Sequence, residues 1–577
     1  MSMIALEIDG RPVSVPPEST ILEAAKKIGV KIPTLCTFPE IQHAPGACRV
    51  CLVEVERARN LVASCVYPVA EGMKVKTNSE RVRKARQTVL EFLLSDHPQD
   101  CNICQKHGKC ELQAVAELVG VRDIRVGRTD FTTHRIDASS PSLLRDASKC
   151  VNCLRCVTVC SQVQAVNLLT PEGRGFGSKV VPAMGQNLKD AVCVFCGQCS
   201  VVCPTGAIVE RDETDLVLAA LQDPKKHVVV QEAPAVRAQL GEEFGMPAGT
   251  LVTGKMIAAL RQLGFDRVFD TNFTADLTII EEGNELLKRV KTGGKLPMIT
   301  SCSPGWIKFI EHFYPRLLPH LSTCKSPQQM FGALAKTYYA QTAKIDPKDI
   351  FSVSIMPCTA KKYEASRPEM QASGFRDVDV VLTTRELGRM IRQAGIDFVN
   401  LAPESFDAPM GQYTGAATIF GATGGVMEAA LRTVYAVVVG KNMPSLDIAP
   451  VRGLEGVKEA ALVVGPLGEV RVAVAHGLGN ARKLMDKIVD GTANYAFIEI
   501  MACPGGCVGG GGQPLPVSNE KRTLRAQALY HDDHDVQEFR QSHENPAVKD
   551  LYDKFLKEPL GHMSHKLLHT HYVERGL

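Results

Sequence analysis

The sequence predicts a multidomain chain with small cysteine-rich α+β modules up to residue 213 and one large α/β domain from 214 to 577. Three observations predict it. The chain has 577 residues, whereas single hydrophobic cores stop growing near about 250 to 300 residues. Its 20 cysteines gather at two- and three-residue gaps, and those before residue 213 are the most crowded. Beyond that point cysteine becomes sparse, and apolar runs alternate with helical stretches. With 45% hydrophobic and 22% charged residues and a formal charge of +3, the chain lacks the charge excess of a nucleic-acid binder. No run of 18 apolar residues suggests a membrane span. The start, MSMIALEIDG, has neither a basic segment leading into an apolar one nor a twin arginine, so a cytoplasmic location and no membrane partner are expected. In a reducing compartment, closely spaced cysteines mean metal rather than disulfides.

Residues 4 to 15 alternate in polarity around Asp9-Gly10, a two-residue hairpin signal. A helix from Ser19 to Ile28 is expected to follow, with Ser19 as its cap and Ile21, Leu22, Ala25 and Ile28 on one face. Cys36, Cys48, Cys51 and Cys65 come next, spaced C-x11-C-x2-C-x13-C, each expected on a loop around one site. With the stretch Gly46-Ala47-Cys48-Arg49-Val50-Cys51, residues 1–79 resemble the beta-grasp two-iron ferredoxin found at the start of complex I large subunits and di-iron hydrogenases.

A second helix is expected over Glu80–Ser95, capped by Ser79, with Val82, Ala85, Val89, Phe92 and Leu93 at helical spacing. Beyond it His97, Cys101, Cys104 and Cys110 read H-x3-C-x2-C-x5-C, which resembles the four-iron site with one His and three Cys ligands of the same two families and defines a module over 80–135. Within 136–213 the pattern C-x2-C-x2-C-x3-C occurs twice, starting at Cys150 and at Cys193, and the second run ends in Pro204. The last cysteine of each run belongs to the other cluster in such pairs. One four-iron cluster therefore takes Cys150, Cys153, Cys156 and Cys203, and the other takes Cys193, Cys196, Cys199 and Cys160. Two separate zinc sites would not explain the duplicated spacing.

In the large domain, 228–230, 297–299 and 351–356 read as buried strands ending in loops, with helices such as 253–263 between them. Parallel α/β layers collect ligands beyond their strands' carboxyl ends. Cys302 and Cys358 fall there.

Three segments then carry the main resemblance: Thr300-Ser301-Cys302-Ser303-Pro304-Gly305-Trp306, Met356 to Glu364, and Glu499 to Gly510. With Lys325 to Gln329 and Gly421 to Glu428 between them, they are similar to the signature of di-iron ([FeFe]) hydrogenases across nearly the whole chain. The resemblance implies reversible interconversion of 2 H+ and two electrons with H2 at an H-cluster. That cofactor is a four-iron cubane whose one cysteine sulfur also holds a di-iron unit carrying CO, cyanide and a dithiolate. Cys507 matches the shared cysteine and Lys361 the cyanide partner, while Met356, Met501, Gln328, Pro234 and Ser303 match pocket positions. Glu282, Ser322, Glu285 and Arg289 match a proton relay, and the two glutamates and the arginine share one helical face at i, i+3 and i+7.

One departure matters. Many relatives have adjacent cysteines in the first motif, one for the relay and one for the cubane, where this chain has Cys302-Ser303. The first four sites leave Cys302, Cys324, Cys358, Cys503 and Cys507. Thiolate softness favours Cys302, Cys358, Cys503 and Cys507 as cubane ligands, with Cys324 or Ser303 left for the relay. Position-by-position transfer instead makes Cys302 the relay thiol. The Cys-Ser form and the several accessory clusters look like subunits of NAD(P)-linked, electron-bifurcating hydrogenases. The implied partners are ferredoxin, flavin- or NAD(P)-binding subunits and hydrogenase maturation proteins. The chain shows no nucleotide fingerprint of its own. The competing classes are a non-catalytic electron conduit or assembly factor, and an H2 sensor. A His-rich tail, with His562, His565, His569 and His571, is left without a role. Iron and sulfide analysis with EPR on anaerobically prepared protein should find one two-iron cluster, three accessory four-iron clusters and the cubane with its di-iron unit; a zinc-loaded protein would contradict the assignment.

Overall fold

In the computed structural model, which describes residues 3–127 and 136–576, Asp9 and Gly10 adopt φ of 47° and 79°. Those left-handed values close a tight turn between β1 (Ile4–Ile8) and β2 (Arg11–Val15). β3 (Leu52–Val55), β4 (Val62–Ala63) and β5 (Lys74–Lys76) complete a sheet of order β2-β1-β5-β3-β4. β1 and β5 run parallel at its centre, the ferredoxin-like arrangement expected. The helix packed on this sheet spans Ile21–Lys27 and is capped by Thr20, not Ser19. Thr20 Oγ1 accepts from the Glu23 amide and the Glu23 carboxylate accepts from the Thr20 amide, a reciprocal pair that Ser19 has no acid at the right distance to form. Ala24 is buried with Ile21 and Ala25, whereas Leu22 and Ile28 are only half-buried.

The helix Glu80–Ser95 begins at Ser79 as expected, but its buried face is Val82, Arg86, Leu90, Glu91 and Ser95, and Phe92 is exposed. Polar partners rotate it. Arg86 donates to the Leu52 carbonyl at 2.7 Å and Glu91 pairs with Arg125 at 2.8 Å, so two charged side chains occupy the packed face. The expected module boundary at 135/136 falls against residues 128–135, outside the described residues.

β6 (Ile136–Asp137), β7 (Leu143–Asp146) and β10 (Ile208–Glu210) form a small sheet beside the hairpin of β8 (Leu169–Glu172) and β9 (Lys179–Pro182). The cysteine runs of this region share one backbone path. Asn152 and Leu154 in the first run, and Phe195 and Gly197 in the second, all take φ between 52° and 70° at equivalent positions. Left-handed residues at this spacing turn successive backbone N–H groups inward, a concavity suited to an anionic cluster.

The large domain holds two four-stranded sheets. β11 (His227–Glu232), β12 (Arg267–Asp270), β14 (Ile350–Met356) and β15 (Val380–Thr383) run parallel in the order β12-β11-β14-β15. The second sheet has the order β13-β18-β17-β16, from β13 (Met298–Ile299), β16 (Val457–Val463), β17 (Glu469–His476) and β18 (Phe497–Met501). Its edge strand β16 is antiparallel, a departure from the all-parallel expectation. The long helix Thr271–Thr292 serves both sheets: Phe273 and Leu277 join the core beside β11, and Ala275, Ile279 and Leu286 join the core beside β17 and β18. No helix among the described residues is long and apolar enough to cross a membrane.

Arg155 ties the cluster-binding parts together. It is buried; its guanidinium pairs with Glu111 through two 2.8 Å hydrogen bonds and donates to the carbonyls of Thr37 and Val202 at 3.0 and 3.3 Å. One side chain thus joins the loop after Cys36, the helix after Cys110 and the second cysteine run. Arg155→Ala should cost about 2 to 3 kcal/mol, less than a fully buried pair because Glu111 is 43% exposed. Calorimetry should show a lowered melting transition, and limited proteolysis should release the amino-terminal modules; an unchanged transition and digest would show that the bridge carries no docking energy.

Candidate active site

The carboxyl ends of β11, β13, β14 and β18 converge on an apolar cavity. Each strand delivers one part of its lining: Pro234 after β11, Cys302 and Ser303 after β13, Met356 and Cys358 at the end of β14, and Met501 and Cys503 at the end of β18. Cys507 enters on the glycine-rich loop behind Cys503. That loop needs its glycines because backbone meets backbone. A Cβ on Gly510 would stand 2.1 Å from the Pro357 carbonyl oxygen, and Gly506, at φ +87°, would place one 2.7 Å from the Thr423 amide.

Lys361 borders the same space. Its Nζ donates to the Cys302 carbonyl at 3.0 Å and to Glu364 at 2.9 Å. Gln328 is anchored from both ends, its amide nitrogen on Glu364 at 3.0 Å and its oxygen accepting from Ser354 at 3.0 Å. Glu364 therefore aims both cavity residues. It stands at i+3 from Lys361 inside the second motif, but its role depends on contacts that only the fold reveals.

Cys358, Cys503 and Cys507 lie close enough to influence one another's ionisation, and Cys302 feels Glu282, Lys361 and Cys507. Burial pushes the Cys507 thiol up to about 12. Thiols grouped in dry surroundings give up their protons when a metal takes the protons' place on sulfur, so this donor set fits an iron-sulfur cluster. Ser303 differs from its neighbour: its hydroxyl accepts from the Ala502 amide at 3.2 Å.

Sulfurs also gather in the modules before residue 213. Cys51 and Cys65 stand 3.3 Å apart, beside Cys36 and Cys48. Burial lowers His97 to about 4, so its ring stays neutral, and its buried Nδ1 has no hydrogen-bond partner among the described residues. Those properties suit a metal ligand. Cys101, Cys104 and Cys110 share this end of the molecule, where a Cβ on Gly206 would sit 2.6 Å from the Cys104 sulfur. That close approach brings the His97 group against the segment just after Cys203. Cys196 borders the central cavity. Thr359, next to Cys358, donates to the Phe195 carbonyl at 2.8 Å, and Gln198 donates to the Gly509 carbonyl at 3.0 Å. The second cysteine run is thereby bolted to two loops of the cavity.

Glu282 and Glu285 are buried on the helix Thr271–Thr292, and Arg289 follows one turn later. Glu285 accepts from Ser322 Oγ at 3.2 Å and from Arg289 at 2.5 Å. Burial, reinforced by Glu285 and Glu499, pushes Glu282 up to about 8 against the opposing hydrogen bond of Ser322. Cys324 lies outside the cavity lining; its thiol points to Glu285 at 3.9 Å. Thr323, Glu281 and His569 were not foreseen here. Thr323 adds amide and hydroxyl bonds to Glu285, and its hydroxyl meets His569 Nδ1 at 2.8 Å.

Comparison with known proteins agrees with this architecture. Residues 226–511 match the iron-only hydrogenase large subunit, C-terminal domain, and 519–575 match the iron hydrogenase small subunit. Residues 1–80 match a 2Fe-2S cluster-binding domain, 86–125 the iron-sulfur binding region of NADH-ubiquinone oxidoreductase G, and 149–207 a 4Fe-4S dicluster domain. The chain is 53% identical to the NADP-reducing hydrogenase subunit HndD of Solidesulfovibrio fructosivorans, over 100% of both chains. It is 40% identical to iron hydrogenase 1 of Clostridium pasteurianum, over 99% of this chain and 100% of that one. A solved [FeFe]-hydrogenase, HydA1 from Chlamydomonas reinhardtii, matches at 45% identity and a TM-score of 0.57, covering 64% of this chain and 100% of that chain. With relatives of that identity along its whole length, and with the iron-sulfur modules and the hydrogenase domain in one chain, the protein belongs to the iron-only, or [FeFe], hydrogenases.

Proposed function

We propose that this hydrogenase takes electrons through four accessory clusters, held by residues within 1–79, 80–135 and 136–213, to an H-cluster in the cavity of 214–577. The observation that carries the reading is the convergence of four strand ends on one cavity bordered by Cys302, Cys358, Cys503 and Cys507, with Cys196 of the last accessory cluster at its rim. When bound, the H-cluster supplies the electrons and the reactive metal at which protons and H2 interconvert.

The chain's own residues do the rest. Cys507 would hold the cluster, and Lys361, kept in place by Glu364, would present an ammonium to one of its ligands. Met356, Met501 and Pro234 exclude water, which strengthens every electrostatic contact in the cavity. Protons pass along Glu282, Ser322 and Glu285. Arg289 holds the outer carboxylate in position, since a guanidinium does not deprotonate in proteins. HndD is named as NADP-reducing. By likeness to it, the accessory clusters of this chain exchange electrons with a flavin- or NAD(P)-binding subunit, or with ferredoxin, in the cytoplasm. Maturation proteins install the di-iron unit.

Cys302 is the fourth cubane ligand in this account, because a soft thiolate suits iron better than the Ser303 hydroxyl. The neighbourhood of Glu282 favours a second reading, in which Cys302 is the inner thiol of the relay. One pair of variants separates them. Glu282→Gln should assemble completely and turn over more slowly by about a hundredfold, whereas Cys302→Ala should fail to build the cubane and to retain the di-iron unit. A fully assembled but slow Cys302→Ala enzyme would establish the relay role, and a normally active Glu282→Gln enzyme would remove Glu282 from the path.

A further inference from the structure

The relay just described ends awkwardly. Arg289 positions Glu285 rather than carrying protons, so a proton that reaches Glu285 needs another titratable group before solvent. The structure supplies one from the far end of the chain. Thr323 Oγ1 lies 3.1 Å from Glu285 Oε2 and 2.8 Å from His569 Nδ1, and the other ring nitrogen, Nε2, lies 3.2 Å from Glu281 Oε2. Backbone pairing holds this arrangement: Lys325 N donates to the Leu568 carbonyl at 2.7 Å and Thr570 N to the Thr323 carbonyl at 2.8 Å. Glu281 is fixed in turn by the Tyr552 hydroxyl at 2.6 Å and the Leu560 amide at 2.9 Å. The exposed His565, one turn earlier on the helix His562–Leu568, lies beside His569 with ring centroids 4.5 Å apart and the planes tilted by 43°.

We infer that the carboxy-terminal segment supplies the relay's outlet, with His569, coupled to Glu285 through the Thr323 hydroxyl, carrying protons between the buried site and solvent. The inference rests on the proposed relay through Glu282 and Glu285. Hydroxyl and imidazole chemistry make the transfer balance. Protonated Glu285 gives its hydrogen to Thr323 Oγ1 while the threonine's own hydroxyl hydrogen passes to His569 Nδ1. The imidazolium then loses its Nε2 proton toward Glu281, His565 and water; the ring is left protonated at Nδ1, and it returns to the first tautomer when Nε2 takes a proton from water and the Nδ1 proton is given back to water. Uptake runs in reverse.

The groups facing His569 are Glu281 and Glu285 on the long helix, Cys324 and Thr323 on the segment it pairs with, and His565 on its own. Lys288, farther along the long helix, faces His565. The ligand atoms of Glu285, Cys324 and His569 lie within 4.8 Å of one another, so the junction is tight. Glu281, despite its burial, is held below the usual carboxylate range by hydrogen bonds from His569 and Tyr552, and so remains an anion beside the ring. The segment that carries His569 belongs to the part matching the iron hydrogenase small subunit. That part thus contributes chemistry as well as cover, and the histidine-rich tail acquires a role.

The test uses the matured holoenzyme and the variants Glu285→Gln, Thr323→Val, Thr323→Ser, His569→Gln and His569→Ala, with CO and cyanide infrared bands as the check on assembly. Thr323→Val and His569→Gln should slow H2 turnover by at least about tenfold with those bands unchanged. Thr323→Ser, which keeps the hydroxyl, should recover most of the rate lost in Thr323→Val, and added imidazole should restore His569→Ala. The carboxyl infrared band lost in Glu285→Gln should also titrate at a different pH in His569→Gln. A slow Glu285→Gln beside a normal His569→Gln would overturn the outlet and leave the relay standing. Normal rates in both would remove the relay and the outlet with it. A slow His569→Ala that imidazole does not restore, with the carboxyl titration unmoved, would reduce His569 to a structural residue and overturn the inference equally.

Discussion

Sulfur must be brought to metal in a space that water does not enter, and the fold is organised around that demand. A buried thiol holds its proton tightly, as Cys507 shows, so grouped thiols become useful only when a metal takes the proton's place. Everything near them follows from keeping the space dry and the sulfurs aimed. The cysteine runs turn through left-handed residues so that backbone N–H groups face inward. Met356 and Met501 add apolar bulk to the central cavity, and a glycine-rich loop packs its backbone directly against the loop after β14.

Exclusion of water creates a second problem, since the reaction consumes and releases protons. The proposed relay lies on the helix Thr271–Thr292, which packs one face into each of the two sheets' cores and still carries Glu281, Glu282, Glu285 and Arg289. In the proposed function, electrons and protons reach the cavity from different sides. The cysteine run from Cys193 adjoins it beside Thr359 and Gly509, while the carboxylates approach through Ser322 and Thr323. Separation of this kind lets each path be tuned by its own surroundings.

Much of this was legible in the residues because the signals are local. The Asp9-Gly10 turn, the Ser79 cap and the doubled cysteine spacing each depend on a few adjacent positions, and the strand ends placed Cys302 and Cys358 before any contact was known. The cap of the first helix was misread by one residue although the deciding signal was present: Glu23 stands three residues after Thr20, the spacing that a capping box requires. The buried face of Glu80–Ser95 was not legible, because Arg86 and Glu91 earn burial through partners on other elements. Nor was His569, whose contacts with Thr323 and Glu281 span 246 and 288 positions of the chain. Glu364 lies between these cases, present in a motif but without a role until the lysine and glutamine that it orients are seen together.

The central claim is that the thiol-bordered cavity holds an H-cluster, and infrared spectroscopy of protein produced together with hydrogenase maturation proteins tests it most directly. Carbon monoxide and cyanide absorb where the polypeptide is silent, so the account predicts sharp bands from both ligands, sensitive to H2 and to reductant. A fully matured, iron-replete sample without those bands would contradict it.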